Sequence, residues 1–222
     1  DSSVVSTLCA QTGIKTLVAS MPISQRPEHH DLSIKHAQWL TNKFQNAYNV
    51  EIDLTYPFLT FENSLKDKKF TSDLGFANSK ARLRMMTLYQ ISASTSGIVV
   101  GTGNKVEDFG VGFYTKYGDG GVDISPIADC NKSQVWSMGK ELGILEEIQM
   151  AEPTDGLWSD GRTDTDQLGM SYKEIEHLMT RPDEPGYEKY LAIRKKNLHK
   201  MKPIPVCKFD GKDTLDTDQK ET

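Results

Sequence analysis

Gly97-Ile98-Val99-Val100-Gly101-Thr102 is an apolar run bounded by glycines. A strand with no polar face reads as one covered on both sides, the pattern of a parallel sheet packed between helices. Upstream, Phe76 to Ser92 reads as one long helix through Ala81, Met85, Met86, Leu88, Tyr89 and Ile91. Val50, Ile52 and Leu54 alternate with polar residues as a strand, and Asp31 is expected to cap a helix carrying Ile34, Ala37, Trp39, Leu40 and Phe44. Thr16-Leu17-Val18-Ala19 reads as a buried strand, preceded by a helix with Val4, Val5, Leu8 and Cys9 on one face and Gly13 at its end. Helices alternating with strands predict an α/β fold, a Rossmann-like parallel sheet with helices on both faces. Such sheets bind ligands beyond the carboxyl ends of their strands, here from Ser20, Leu54 and Thr102 onwards. After about Asn131 the chain reads as helical, over 133–142, 171–180 and 186–199. Residues 210–222 are polar and charged and are expected to form a flexible tail.

The remaining composition narrows the classes. The 222 residues are 37% hydrophobic and 26% charged, the balance of a globular protein, and no apolar run reaches the ~20 residues of a membrane span. A net charge of -5 argues against a general nucleic-acid binder. Three scattered cysteines, Cys9, Cys130 and Cys207, form neither a disulfide framework nor a metal motif. They read as small buried thiols of a cytoplasmic protein. Met150, Met170 and Met179 read as core fillers.

Two glycine-rich stretches carry the candidate chemistry. Gly101-Thr-Gly-Asn-Lys-Val-Glu-Asp-Phe-Gly110 follows the strongest strand but lacks the third glycine of a dinucleotide fingerprint, position 106 being Val. A ligand loop presenting Glu107 and Asp108 and an ordinary tight turn are equal readings of it. Thr115-Lys-Tyr-Gly-Asp-Gly-Gly-Val-Asp-Ile-Ser-Pro126 is too glycine-rich for a helix or strand, and its apolar flanks favour a ligand loop over a mobile one. Lys80, Arg82 and Arg84 read locally as a solvated basic helix face. Glu28-His29-His30-Asp31 lacks metal-ligand spacing, and His199-Lys200 suits the negative end of a helix dipole.

Together, GTGNKVEDFGVGFYTKYGDGGVDISPIADCNKSQV (101–135) and GLWSDGRTDTDQLGMSY (156–172) resemble the core of the NAD synthetases. These are ATP pyrophosphatases of the adenine nucleotide alpha hydrolase-like fold. The resemblance runs from residue 1 to about residue 209, expected to be a single synthase domain. It implies that Mg-ATP adenylates the nicotinate carboxylate of deamido-NAD, releasing pyrophosphate, and that ammonia then displaces AMP to give NAD. By resemblance, Asp1 and Glu107 hold Mg2+; Ser2, Thr102, Lys132 and Thr154 contact ATP; and Arg82, Lys116, Asp123, His199 and Lys200 bind deamido-NAD. It also implies a cytoplasmic homodimer, for which the face of Ala81, Met85, Leu88 and Tyr89 is a candidate that serves equally well as core.

This sequence departs from the family pattern in two places. The family's pyrophosphate loop reads Ser-Gly-Gly-x-Asp-Ser, and the sequence opens at its last two residues, Asp1-Ser2, so it is expected to be a fragment. Many ammonia-dependent members carry Arg-Leu-Pro after the second strand, where Ser20-Met21-Pro22 stands here, with Arg26 close by. Nothing in the sequence resembles a glutaminase domain, so free ammonia is the expected nitrogen donor. Two rival readings remain: another ATP pyrophosphatase acting on a different acceptor, and a catalytically silent dinucleotide-binding module.

Overall fold

The computed structural model describes residues 1–207. Strands β1 (Thr16–Ser20) and β2 (Ala47–Glu51) pair in parallel, in register from Thr16 with Ala47 to Ser20 with Glu51. Helix α1 (Ser2–Gln11) precedes β1, α2 (Pro27–Lys43) crosses between the strands, and α3 (Thr55–Lys66) and α4 (Asp73–Thr95) follow β2. A π-helical turn (Val106–Val111) leads to α5 (Lys132–Glu141), α6 (Glu146–Met150), α7 (Asp164–Leu168), α8 (Tyr172–Leu178) and α9 (Tyr187–Met201). The proposed tail, 210–222, lies outside the described residues.

Local chemistry sets these boundaries. Helix α2 starts at Pro27 rather than at Asp31, which lies inside it. The proline ring fixes φ for a first helical turn and lacks only an amide that would have no partner there. Ser72 caps α4, its hydroxyl accepting from Gly75 N at 3.1 Å, and the helix runs to Thr95, where Ser96 turns left-handed. Regular pairing of β2 ends at Glu51, although Val50, Ile52 and Leu54 continue the alternation. Ile52 N still donates to Ser20 O and Leu54 N to Pro22 O, but Pro22 has no N–H to give back.

The run Gly97–Thr102 is not a full strand. It makes one parallel bridge, Val100 with Ile124, flanked by bonds from Gly101 N to Ile124 O and from Asp123 N to Val99 O. The next rung is taken by a side chain: Asp123 Oδ2 accepts from Val99 N at 2.7 Å. Ile98 is accordingly exposed while Val99 is buried.

Separate apolar clusters build the core. Val4 and Val5 of α1 pack with Ile127, Val135 and Ile144, with Cys9 and Cys130 half-buried at the margin. Ile23, Leu54, Phe58 and Phe76 join the segments that follow β1 and β2 to α3 and α4. Val106 and Val111 of the π-helical turn are fully buried against Leu168, Tyr172, Ile175 and Tyr190. That cluster locks the turn to α7, α8 and α9, and so fixes where the turn's side chains point. Met170 belongs to it and Met179 packs against it, but Met150, read as a core filler, is exposed at the end of the short helix α6.

Candidate active site

A buried charge cluster sits where the Val100 segment ends. Asn104, wholly buried, accepts through Oδ1 from the amides of Val106 (3.0 Å) and Glu107 (3.1 Å), and so starts the π-helical turn. Its amide nitrogen donates to Asp1 Oδ2 at 3.2 Å. Lys132, the first residue of α5, reaches back and places Nζ 2.7 Å from Asp1 Oδ2 and 2.8 Å from Glu107 Oε1. The Lys132 side chain is only 6% exposed, so one ammonium joins two carboxylates out of bulk water. A π-helical turn inside a fold commonly marks a functional site, and here it carries Glu107.

Two further residues close the cluster. The Tyr172 hydroxyl lies 2.6 Å from Glu107 Oε1 and 2.7 Å from Asp164 Oδ2. Burial, then the neighbouring carboxylates, push the Tyr172 phenol well above its ordinary range, so it stays protonated. Burial also lifts the Asp164 carboxyl to about 6. Asp108, beside Glu107, is raised to about 7, chiefly by burial and then by Glu107. Its carboxylate lies against Gly103, where a Cβ would stand 2.1 Å from Oδ2; only glycine admits that approach.

The residues present fit a hard cation. Asp1 Oδ1 is buried without a hydrogen-bond partner among the described residues, and every described hydrogen bond to the Glu107 side chain falls on Oε1. Two carboxylates with unused oxygens suit Mg2+, which takes few protein ligands and completes its shell with water and phosphate oxygens. Among the described residues no three His, Cys, Asp or Glu side chains are placed to ligate one metal ion together, and His30 instead faces Glu51 at 3.7 Å.

A cleft of about 590 Å³ opens beside the cluster, lined by Arg82, Tyr89, Tyr114, Lys116, Tyr117 and Lys200 among others. The π-helical turn links the two: Glu107 lies on it, and Lys200 Nζ donates to Gly112 O and Tyr114 O, both at 2.7 Å, just past its end. Burial lowers the pKa of Lys200. The glycine-rich loop is pinned rather than free. Thr115 hydroxyl donates to Asn78 Oδ1 of α4 at 2.7 Å, and a Cβ on Gly118 would stand 3.0 Å from that of Ala81.

Of the basic helix face, Arg82 stays exposed, but Lys80 and Arg84 are half-buried, contrary to the local reading of a solvated stripe. Lys80 Nζ donates to Leu157 O, Arg82 Nε to Lys116 O, and Arg84 Nε to Met21 O, so each cation clasps a different loop. Of the residues expected to bind deamido-NAD, Arg82, Lys116 and Lys200 share the cleft. Asp123 stands at its rim with both oxygens used, one by Val99 N and one by the Tyr89 hydroxyl at 3.0 Å. His199 contributes its carbonyl, which accepts from Lys116 Nζ at 3.3 Å, while its exposed ring turns to Lys196 O.

Of the expected ATP contacts, Lys132 is in the cluster, and Thr102 leads into it along the Gly101–Asn104 segment. Ser2 is exposed on the first turn of α1. Thr154 is turned to its own loop, donating to Arg162 O and accepting from Gly156 N. Sequence reasoning named no role for Asn104, Asp164 or Tyr172. An Asn directly before a helical turn is a capping signal, but the partners of Asp164 and Tyr172 are set by tertiary packing.

Comparison with known proteins assigns the family. The model of the NAD synthase family matches residues 1–209.

The chain belongs to the NAD synthase family.

Among family relatives, the NH(3)-dependent NAD(+) synthetase of Carboxydothermus hydrogenoformans is 38% identical over 182 residues, 81% of this chain and 72% of the relative. That of Methanosarcina acetivorans is 34% identical over 77% of this chain and 70% of its own length. A solved structure of NMN synthetase from Francisella tularensis matches with a TM-score of 0.84 and 29% identity, over 94% of this chain and 85% of that one. The NH3-dependent NAD synthetase of Campylobacter jejuni, at 24% identity, shares the fold with a TM-score of 0.68 over 93% of this chain and 85% of that one. The predicted adenine nucleotide alpha hydrolase-like fold is thus that of these neighbours.

Proposed function

We infer that the protein is a ligase, an ammonia-dependent NAD synthetase. ATP is its co-substrate, and deamido-NAD and ammonia are its other substrates. The observation that carries this reading is the identity with the C. hydrogenoformans NH(3)-dependent NAD(+) synthetase over 81% of the chain. In the first step a nicotinate carboxylate oxygen bonds to the α-phosphorus of ATP, and the bond to the β-phosphate breaks to release pyrophosphate. In the second, ammonia attacks the activated carbonyl carbon, AMP leaves, and the nitrogen loses a proton to give the amide.

The site residues take these roles in our reading. Asp1 and Glu107 hold Mg2+, which when bound neutralises charge on the ATP phosphates. Lys132, between those carboxylates, supplies a fixed ammonium against the same charge, so the site meets the transition state without reorganising. Arg82, Lys116 and Lys200 neutralise the substrate's own pyrophosphate and acid end, with Asp123 and His199 at the rim. Ser2, Thr102 and Thr154 complete the ATP contacts. Residues 1–209 act as one synthase domain.

We further propose a cytoplasmic homodimer without a nucleic-acid partner. No described helix is long and apolar enough to cross a membrane. Ala81 and Met85 face the core, but Tyr56, Leu59, Phe70 and Leu74, on α3 and around the start of α4, are 79%, 41%, 65% and 62% exposed and offer an apolar surface for a second copy. Light scattering tests this, and a fully active monomer at micromolar concentration excludes it.

Incubation with deamido-NAD, Mg-ATP and ammonium, followed by chromatography, tests the reaction. Equal yields of NAD, AMP and pyrophosphate are expected; ADP and phosphate would refute adenylation. A second reading rests on the 0.84 TM-score to the F. tularensis NMN synthetase. Under it the acceptor is the mononucleotide acid, with the same chemistry at the carboxylate. The ratio of kcat/KM for the two acids decides, and a ratio above one for the mononucleotide selects the second reading.

A further inference from the structure

One phenol sits between two buried carboxylates, one of them the cation-binding Glu107. Tyr172 opens α8, which Ser171 and Glu174 lock by reciprocal capping. Its ring is held as firmly as its backbone. Trp136 packs edge-on at 6.3 Å between centroids, and Lys132 Nζ stands 4.6 Å over the ring face. Tyr172 is 4% exposed and Asp164 5%. Neither group can therefore turn to water without breaking the cluster that packs Val106 and Val111 against α8.

The hydrogen count is informative. A phenol carries one hydrogen, and an ionised carboxylate only accepts. Contacts of 2.6 Å to Glu107 and 2.7 Å to Asp164 therefore need two hydrogens, of which Tyr172 provides one. Glu107 Oε1 also accepts from the Lys132 ammonium at 2.8 Å, so it already has a donor of its own. The second hydrogen belongs on Asp164, which among the described residues meets no cation in hydrogen-bond contact and whose Oδ1 is buried without a partner there. Asp164 then donates to the phenol oxygen, and the phenol donates to Glu107.

We propose that Asp164 and Tyr172 are positioning residues for the cation site: Asp164 orients the Tyr172 hydroxyl, which pins Glu107 Oε1 and leaves Oε2 for the metal ion. The inference rests on Glu107 being a metal ligand. Fixing a ligand's orientation from behind commonly accounts for ten- to a hundredfold in metal affinity, so about tenfold is expected here. The pair also ties the loop that follows Thr154 to the metal carboxylate, because Asp164 begins α7 directly after that loop.

The test is Mn2+ binding followed by electron paramagnetic resonance, with melting curves in EDTA as a folding control. Tyr172→Phe and Asp164→Ala are each expected to weaken Mn2+ about tenfold while the protein stays folded in EDTA. Asp164→Asn keeps a donor toward the phenol oxygen and is expected to bind Mn2+ within about twofold of the unsubstituted protein. In steady state the first two variants are expected to raise the Mg2+ concentration for half-maximal rate more than they lower the rate at saturating Mg2+. Tyr172→Phe binding Mn2+ normally, or Asp164→Asn failing as badly as Asp164→Ala, overturns the proposal. If Glu107→Gln also leaves Mn2+ affinity unchanged, the metal assignment itself falls; if Glu107→Gln abolishes binding and Tyr172→Phe does not, only the positioning role falls.

Discussion

Replacing Lys132 with methionine keeps most of the side chain's volume and removes the charge that joins Asp1 to Glu107. Two charge-assisted hydrogen bonds of 2.7 and 2.8 Å disappear, and two carboxylates buried around a 6%-exposed side chain lose their counter-ion. Breaking a buried pair from one side costs about 3–5 kcal/mol, because an uncompensated charge remains. In a protein of this size that corresponds to a melting temperature lower by about 6–20 °C. Lys105 is the control, since it pairs with Asp129 at 2.8 Å but at side-chain exposures of 43% and 97%. An ion pair open to water contributes about 1 kcal/mol or less, so Lys105→Met is expected to melt within a few degrees of the parent. Differential scanning calorimetry in EDTA and then in Mg2+ separates two effects. Without metal the Lys132→Met protein melts low. With Mg2+ it recovers more than the parent does, because the cation supplies the missing positive charge and binding stabilises in proportion to the logarithm of its concentration over Kd. Equal melting temperatures of Lys132→Met and Lys105→Met in EDTA would refute the reasoning.

Lys116→Ala is expected to lower kcat/KM for deamido-NAD by about ten- to a hundredfold, the worth of one charge-assisted contact, with Lys105→Ala nearly silent; equal effects would remove Lys116 from the cleft's function. Glu107→Gln is expected to lower turnover by at least ~100-fold, as loss of cation-borne charge stabilisation costs several kcal/mol. Normal turnover of that variant at limiting Mg2+ would exclude Glu107 from the metal site. His36, 7% exposed beside the Ser6 hydroxyl, has its pKa lowered by burial to about 4. A depressed pKa means that the neutral form stabilises the fold above the unfolded value of about 6.5, and that this is lost as pH falls toward 4, by about 3 kcal/mol at the bottom of the window. Chemical denaturation at pH 7 and pH 4 checks this, and His36→Phe is expected to flatten the dependence; an unchanged slope in that variant would contradict it.

The sheet and its helices were legible because periodicity reports burial directly. The apolar stripe of α1 follows from spacing, and Thr16–Ala19 is a strand as its composition suggests, but not the buried strand expected: no residue of β1 is buried and Leu17 is 40% exposed. Pattern reading missed where backbone chemistry cut across hydrophobicity: Pro27 rather than Asp31 begins α2, and Pro22 stops a ladder that Val50, Ile52 and Leu54 would continue. The Val100 segment kept its apolar composition but lost a rung to the Asp123 carboxylate, a side-chain choice no periodicity reveals. In the site, Glu107 was marked by its place after an apolar run. Lys80 and Arg84 were misread locally because their partners, Leu157 O and Met21 O, lie 77 and 63 residues away. Asp164 and Tyr172 were unreadable for the same reason: their meaning lies in a phenol shared between carboxylates, which only packing of α7 and α8 against the π-helical turn brings about.

In the proposed reaction the substrate carboxylate attacks the α-phosphorus of ATP. Mass spectrometry of the products formed from deamido-NAD labelled with ¹⁸O in its nicotinate carboxylate tests it most directly. One labelled oxygen is expected in the phosphate of AMP and none in pyrophosphate. Label in inorganic phosphate, or unlabelled AMP alongside NAD, would contradict it.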